Sequence, residues 1–280
     1  MRPAEVVRRG ADYLARHGVG EPEASAELLM MAVLGTDRGG LYARREGLSG
    51  AEARRYGRML CRRCAGVPVQ HLTGETGFRR LVLAVRPGVF VPRPETEVVA
   101  GVALDAIADV PSPLVVDVGT GTGAIALAIA DERPDARVVA TDRSAAAVAL
   151  ARDNAARLGL DVEVLEGDLL APLPAGRRGE VDLVVSNPPY LDPAGLDALP
   201  PEVRADPAEA LFGELDGYER LFADARAAAR PGAAVVVEVD PSIVRDVAAA
   251  AAAAGLVDVA VHPDLTDRER VVAARTRAPR

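Results

Sequence analysis

Apolar residues recur three and four apart along residues 3–17, 21–34 and 51–64, a period that predicts three amphipathic helices. Pro22 fits a first helical position and Gly35 a stop. Ser49 stands three residues before Glu52, the spacing of a capping box. Near residue 75 the pattern changes. Residues 78–85 read as a strand, Arg86-Pro87-Gly88 as a turn and residues 89–91 as a return strand. Pro92-Arg93-Pro94-Glu95-Thr96-Glu97 then opens a helix reaching about Asp109. Pro94 belongs in its first turn, and the two glutamates suit the positive end of its dipole.

From residue 114 onward, short apolar runs alternate with helical periods. Strands are expected at 114–118, 137–141, 162–166, 181–186 and 233–239, with helices reaching about Glu132 and Leu158 after the first two. Such alternation implies an α/β fold whose parallel sheet is covered on both faces. Residues 257–261 and 270–274 supply two last strands, and the alanine-rich 248–254 is helical by propensity. The expected division is a helical bundle at 1–74 that serves recognition, a β-hairpin linker at 75–95 and an α/β domain at 96–280.

Composition narrows the function classes. Every Lys+Arg position is arginine, and the net charge of −8 is unevenly spread. Residues 1–64 hold 12 Arg against 8 acids, whereas the remainder holds 21 against 33. An acidic main body argues against broad binding to a phosphate backbone, and aromatic content of 3% leaves few stacking platforms. No run is apolar enough to span a membrane and no signal peptide is visible, so a cytoplasmic location is expected. Cys61 and Cys64 fall on one predicted helix, three residues apart, in poor geometry for a disulfide. With no second cysteine pair and only His71 as a weak further ligand, no metal is expected.

The chemistry gathers where the predicted strands end. Asn187-Pro188-Pro189-Tyr190 follows the buried run 181–186, at the sheet edge where open α/β folds bind ligands. Proline fixes φ and lacks an N–H, so the Asn187 side-chain oxygen and a proline carbonyl make stiff acceptors for a planar NH2 group. Tyr190 can pack on the flat face of that group. Gly119, Thr120, Gly121, Thr122 and Gly123 form a G-x-G-x-G turn between strand and helix, open to close ligand approach and to an anion. Asp142 ends the next strand, placed to accept ribose hydroxyls, and Asp168 follows the third, placed for an adenine amino group. Together these motifs predict an S-adenosylmethionine site beside an amino-group acceptor.

These motifs resemble those of the PrmC/HemK release-factor glutamine methyltransferases. The matching stretches are residues 117–126, Asn187 through Tyr190, and residues 90–97; His71-Leu72-Thr73-Gly74 and Asp216-Gly217-Tyr218 are similar to weaker family features. The resemblance covers essentially the whole chain. It implies a class I, Rossmann-like S-adenosylmethionine-dependent methyltransferase domain joined by a β-hairpin to a small N-terminal helical bundle. It implies that the turn at 119–123, Asp142, the Asp168-Leu169 pair and Asn187 meet the cofactor. It also implies that Asn187, Pro188, Pro189 and Tyr190 hold a glutamine amide, in the Gly-Gly-Gln loop of class I peptide-chain release factors. The Asn-Pro-Pro-Tyr motif is shared with enzymes that methylate exocyclic amino groups of nucleic acids. Glutamine methyltransferases of ribosomal proteins differ near residues 92–97, carrying Ser after the Arg. No nucleic-acid substrate is therefore expected. Two departures stand out: Leu169 replaces a common aromatic, so adenine packing is expected to be weaker, and Glu238-Val239-Asp240-Pro241-Ser242-Ile243 departs from the family pattern, so no role carries over to 238–243.

Overall fold

The structure is a computed structural model, and it describes residues 1–191 and 203–278. The chain forms two compact units. One holds residues 1–75 with 203–205; the other holds 76–191 and 206–278.

The first unit contains α1 (Pro3–Arg16), α2 (Pro22–Leu34), α3 (Arg38–Ala43), α4 (Gly50–Cys64) and α5 (Val69–Thr73). Val7, Leu14, Leu29, Met30, Leu41, Tyr56 and Leu60 form its core. The predicted capping box is present: Ser49 Oγ accepts from Glu52 N at 3.2 Å, and Glu52 Oε2 accepts from Ser49 N at 2.6 Å. Gly10 lets α1 and α4 approach closely, since a Cβ there would stand 2.3 Å from the Tyr56 hydroxyl. That hydroxyl donates to Ala26 O on α2 at 3.1 Å.

The hairpin differs from expectation. Its strands are β1 (Glu75–Phe78) and β2 (Leu81–Ala84), joined by Arg79-Arg80 with Arg79 at φ 51°. Phe78, Leu81 and Leu83 enter the core while Val82 is exposed, so strand alternation sets the register. Arg79 is anchored by Glu132 and by the Glu97 carbonyl. Residues 89–91 do not form a return strand. Val89 and Val91 are buried, and the Val91 N–H donates to Asp206 Oδ1 at 3.3 Å instead of to a strand.

The larger unit continues with α6 (Thr96–Ala106), β3 (Leu114–Val118), α7 (Ala124–Glu132), β4 (Arg137–Asp142), α8 (Ala145–Leu158), β5 (Val162–Glu166) and β6 (Val181–Ser186). It closes with α9 (Ala208–Leu211), α10 (Leu215–Ala228), β7 (Ala229–Glu238), α11 (Val244–Ala253), β8 (Val257–Pro263) and β9 (Glu269–Arg275). Helix α6 starts after Pro94 and stops short of Asp109, both within the usual uncertainty of helix ends. The strands order as β5-β4-β3-β6-β7-β9-β8. Pairing is parallel from β5 through β7 and antiparallel at β9 and β8.

Alternation along the strands builds two cores. Val115, Leu183, Val185 and Val236 face the layer of α6, α7 and α8, and Val116, Val118, Val184, Val235 and Val237 face α10 and α11. The chain leaves β3 toward β4 and β5, then returns to β6 on the other side of β3. That reversal opens a crevice beyond the carboxyl ends of β3 and β6.

Candidate active site

The sheet register brings the chemical groups level with one another. Val118 pairs with Thr141 on one side and with Ser186 on the other, and Ser186 pairs with Val237. The residues just past these pairs are Gly119, Asp142, Asn187 and Glu238. They share one rim.

The glycine turn is held from below. Gly119 and Thr120 both donate to Thr141 O, at 2.9 and 3.0 Å. Gly119 lies at φ 70° and Gly121 at φ 58°, and among the described residues a Cβ on either would meet nothing within 4 Å, so open space lies over the turn. Gly123, at φ 86°, is different: a Cβ there would stand 2.9 Å from Leu127 and 3.3 Å from Ala151. It is the packing glycine. The Thr120 hydroxyl donates to Asp117 Oδ2 at 2.6 Å, and Thr122 is buried with its carbonyl held by Asn154 at 2.9 Å.

Asp117 joins this turn to α7, because its Oδ2 also accepts from Ala126 N at 3.1 Å. Among the described residues, its other oxygen is a buried acceptor without a donor. Burial pushes its carboxyl up to about 7, the Thr120 and Ala126 bonds opposing, and the nearby Asp142 charge adds to the rise.

Asp142 accepts Gly121 N at 2.9 Å through Oδ2 and Ser144 N at 2.8 Å through Oδ1. A carboxylate oxygen has two lone pairs, so each keeps one for a ligand. Asp168 stands apart from this cluster. It lies beyond β5, its side chain 54% exposed, in an ion pair with Arg220 of α10. Leu169 beside it adopts φ 45° and packs against the α10–α11 core.

Asn187 donates from Nδ2 to Thr96 Oγ1 at 3.1 Å. Thr96 donates in turn to Glu238 Oε2 at 2.7 Å, and Tyr190 donates to Glu238 Oε1 at 3.3 Å. Tyr218 donates to the Glu238 carbonyl at 2.8 Å. The Glu238 side chain is buried, which pushes its carboxyl up to about 7 against the pull of Thr96, Arg270 and Tyr190. Burial likewise raises the Tyr190 phenol, so it stays a donor. The Pro188 and Pro189 carbonyls accept no hydrogen bond among the described residues. Tyr190 N and Leu191 N both donate to Leu211 O, at 3.2 and 2.8 Å, and Gly213 lies against Pro189, where a Cβ would be 2.1 Å from the Pro189 oxygen.

Two groups at this rim, Thr96 and Glu238, are not among the residues expected from the sequence. Thr96 lies inside the 90–97 stretch without being singled out there. Glu238 is an acid ending a strand, a pattern that Asp142 also shows. Arg93, between two prolines, pairs with the fully buried Asp206 carboxylate and lies over the Phe90 ring at 5.1 Å. Cys61 and Cys64 are free thiols on α4.

The sheet order, the glycine turn and the acid ending β4 define a class I methyltransferase, the fold of S-adenosylmethionine-dependent enzymes. A methyltransferase from Pyrococcus furiosus shares that fold at TM-score 0.51 and 16% identity, over 70% of this chain and 88% of its own. Residues 81–199 match the methyltransferase small domain and residues 5–74 match the PrmC N-terminal domain. The release factor glutamine methyltransferase of Deinococcus radiodurans is 44% identical over 98% of this chain and 99% of its own. That of Moorella thermoacetica is 41% identical over 98% and 96%. The chain belongs to the release factor glutamine methyltransferases. Among the described residues, no helix is long and apolar enough to cross a membrane.

Proposed function

We propose that this chain transfers a methyl group to the side-chain amide nitrogen of the glutamine in the Gly-Gly-Gln loop of class I peptide-chain release factors. The observation carrying the chemistry is the bond from Asn187 Nδ2 to Thr96, which leaves Asn187 Oδ1 as the end available to a substrate NH2 group. The Pro188 carbonyl is the second acceptor, since Pro189 O is covered by Gly213. Tyr190, tethered through its hydroxyl, borders the amide.

S-adenosylmethionine, when bound, supplies an electrophilic methyl group on a sulfonium. Three features of the chain fit it. Open space lies over Gly119 and Gly121, Asp142 keeps lone pairs for the ribose hydroxyls, and Asp117 Oδ1 is a buried acceptor in want of a donor. In this reading Thr120 and Thr122 shape the turn rather than touch the ligand through their side chains, and Gly123 lets the following helix pack close. Asp168 and Leu169 border the adenine, with Arg220 sharing the Asp168 carboxylate.

An amide nitrogen is a poor nucleophile because its lone pair is delocalised into the carbonyl. Acceptors on both N–H bonds favour a pyramidal nitrogen with its lone pair aimed at the methyl. The rate then derives from orientation and fixed dipoles. The N-terminal unit is the region that grips the body of the folded factor. Arg54, Arg58 and Arg62 follow one face of α4 at intervals of four, all exposed and without an ion pair among the described residues. A cytoplasmic location fits a substrate that acts in translation.

The test is mass spectrometry of a release factor treated with the enzyme and S-adenosylmethionine. A single methyl on the Gly-Gly-Gln glutamine nitrogen is expected. Methyl found instead on a ribosomal protein or on a nucleic-acid amino group would overturn the substrate assignment.

A further inference from the structure

A carboxamide has two ends of nearly equal size and opposite polarity. At Asn187 the difference decides everything, because an outward oxygen accepts the N–H of a substrate amide whereas an outward NH2 repels it. Nothing in the Asn-Pro-Pro-Tyr turn itself makes that choice. The choice is made by the residue behind it, Thr96, whose Oγ1 lies 3.1 Å from Asn187 Nδ2.

A threonine hydroxyl is itself ambiguous, since it can donate or accept. Its single hydrogen is committed to Glu238 Oε2 at 2.7 Å, so toward Asn187 it can only accept. Glu238 receives a second hydroxyl, that of Tyr190, on Oε1 at 3.3 Å, so both of its carboxyl oxygens serve as acceptors here. Polarity therefore runs one way along the chain Asn187, Thr96, Glu238. We propose that Glu238 is a positioning residue: acting through Thr96, it fixes the Asn187 carboxamide with its oxygen toward the substrate, and it holds the Tyr190 ring beside it.

Glu238 is well placed for this role. The parallel register of β6 and β7 sets it level with Asn187, and Tyr218 of α10 fixes its backbone through a 2.8 Å bond to its carbonyl. The side chain is buried at 1% exposure, and its bonds go to the substrate-facing residues Asn187 (through Thr96) and Tyr190. The inference rests on Asn187 being the acceptor of the substrate amide.

Thr96→Val keeps the side-chain shape and removes the hydroxyl. It is expected to lower kcat roughly ten- to hundredfold. The KM for the intact release factor and the calorimetric affinity for S-adenosylmethionine should stay within about twofold. Thr96→Ser, which restores the hydroxyl, should recover much of the rate. A second readout needs no turnover. The Asn187 side-chain NH2 signals in a 15N–1H spectrum, assigned by their loss in Asn187→Ala, should shift in Thr96→Val and in Glu238→Gln and return in Thr96→Ser. If Thr96→Val fails to fold, Glu238→Gln and the serine variant carry the test through those signals. Parental kcat in folded Thr96→Val, or unmoved Asn187 signals in Glu238→Gln, would overturn the proposal. Parental kcat in Asn187→Ala would remove the acceptor reading itself, and the proposal with it; an inactive Asn187→Ala beside a fully active Thr96→Val would remove the proposal alone.

Discussion

Arg93 and Asp206, 113 residues apart in sequence, form an ion pair in which the carboxylate is wholly buried and the guanidinium is 24% exposed. Burial pushes the Asp206 carboxyl up to about 6 even with Arg93 beside it. Removing one partner of such a pair strands the other charge. Arg93→Ala is expected to lower stability by about 3 kcal/mol at neutral pH, measured by urea unfolding. The loss should shrink toward about pH 5, where Asp206 takes up a proton. Adding Asp206→Asn should recover part of it. A loss that is the same at both pH values would show that the carboxylate charge is not its cause.

Asp142→Ala should weaken S-adenosylmethionine binding. Hydrogen bonds to charged groups contribute roughly 1.5–3 kcal/mol, so the loss is about ten- to a hundredfold in affinity. Because Asp142 also holds the N–H groups of Gly121 and Ser144, a fall in melting temperature should accompany it. Unchanged affinity by calorimetry would remove the ribose assignment. Asn187→Ala should show the opposite profile, with affinity for S-adenosylmethionine comparatively intact and kcat down on the order of 10²–10³.

Replacing Arg54, Arg58 and Arg62 together by Glu tests the recognising face. KM for an intact release factor should rise by roughly tenfold or more, and most steeply at low salt. Methylation of a short Gly-Gly-Gln peptide, which lacks the remote contacts, should be slow in the parent and barely changed in the variant. Equal effects on peptide and factor would place the arginines elsewhere in the reaction.

Stability should fall as pH rises toward neutrality. Asp117, Asp206 and Glu238 have carboxyls raised by burial to about 7, 6 and 7, from ordinary values of 3.8, 3.8 and 4.5. Between those limits the folded chain holds more protons than the unfolded one, so raising pH favours unfolding. On the acid side, Glu52, Asp135 and Asp264 are held down at about 2, chiefly by bonds from Arg44, Arg133 and Thr266. Their contribution is present above the ordinary carboxylate values and lost as pH drops toward 2. Urea midpoints should therefore peak at roughly pH 4–5 and decline toward about pH 8, and Glu238→Gln should flatten the neutral limb. A midpoint that climbs steadily from about pH 5 to about pH 8 would contradict this.

Much of this molecule was legible from local pattern. Strands β3, β4, β6 and β7 hold apolar runs, and the helices between successive strands dictate the parallel arrangement of β5 through β7. The hairpin was not legible, because Arg79-Arg80 carries no turn signal; its conformation is imposed by burial of Phe78 and Leu81 and by the anchorage of Arg79 on Glu132. Helix α10 was not among the expected elements, although Tyr218, Leu221, Phe222 and Ala225 keep helical spacing. The site divides in the same way. Gly119, Gly121, Asp142 and Asn187 announce themselves by type and by position after strands. The bond from Thr96 to Glu238 spans 142 residues and exists only because the start of α6 packs against the end of β7, which no local window contains.

The contact between Gly213 and Pro189 sets a limit on redesign. With 2.1 Å between the Pro189 oxygen and the place a methyl group would occupy, no side chain fits at 213 unless the acceptor loop backs away. An alanine scan of the proposed acceptor turn would pass over this position, because glycine has nothing to truncate. Attempts to widen the site for a bulkier amide must therefore move residues 189 and 213 as a single mechanical part.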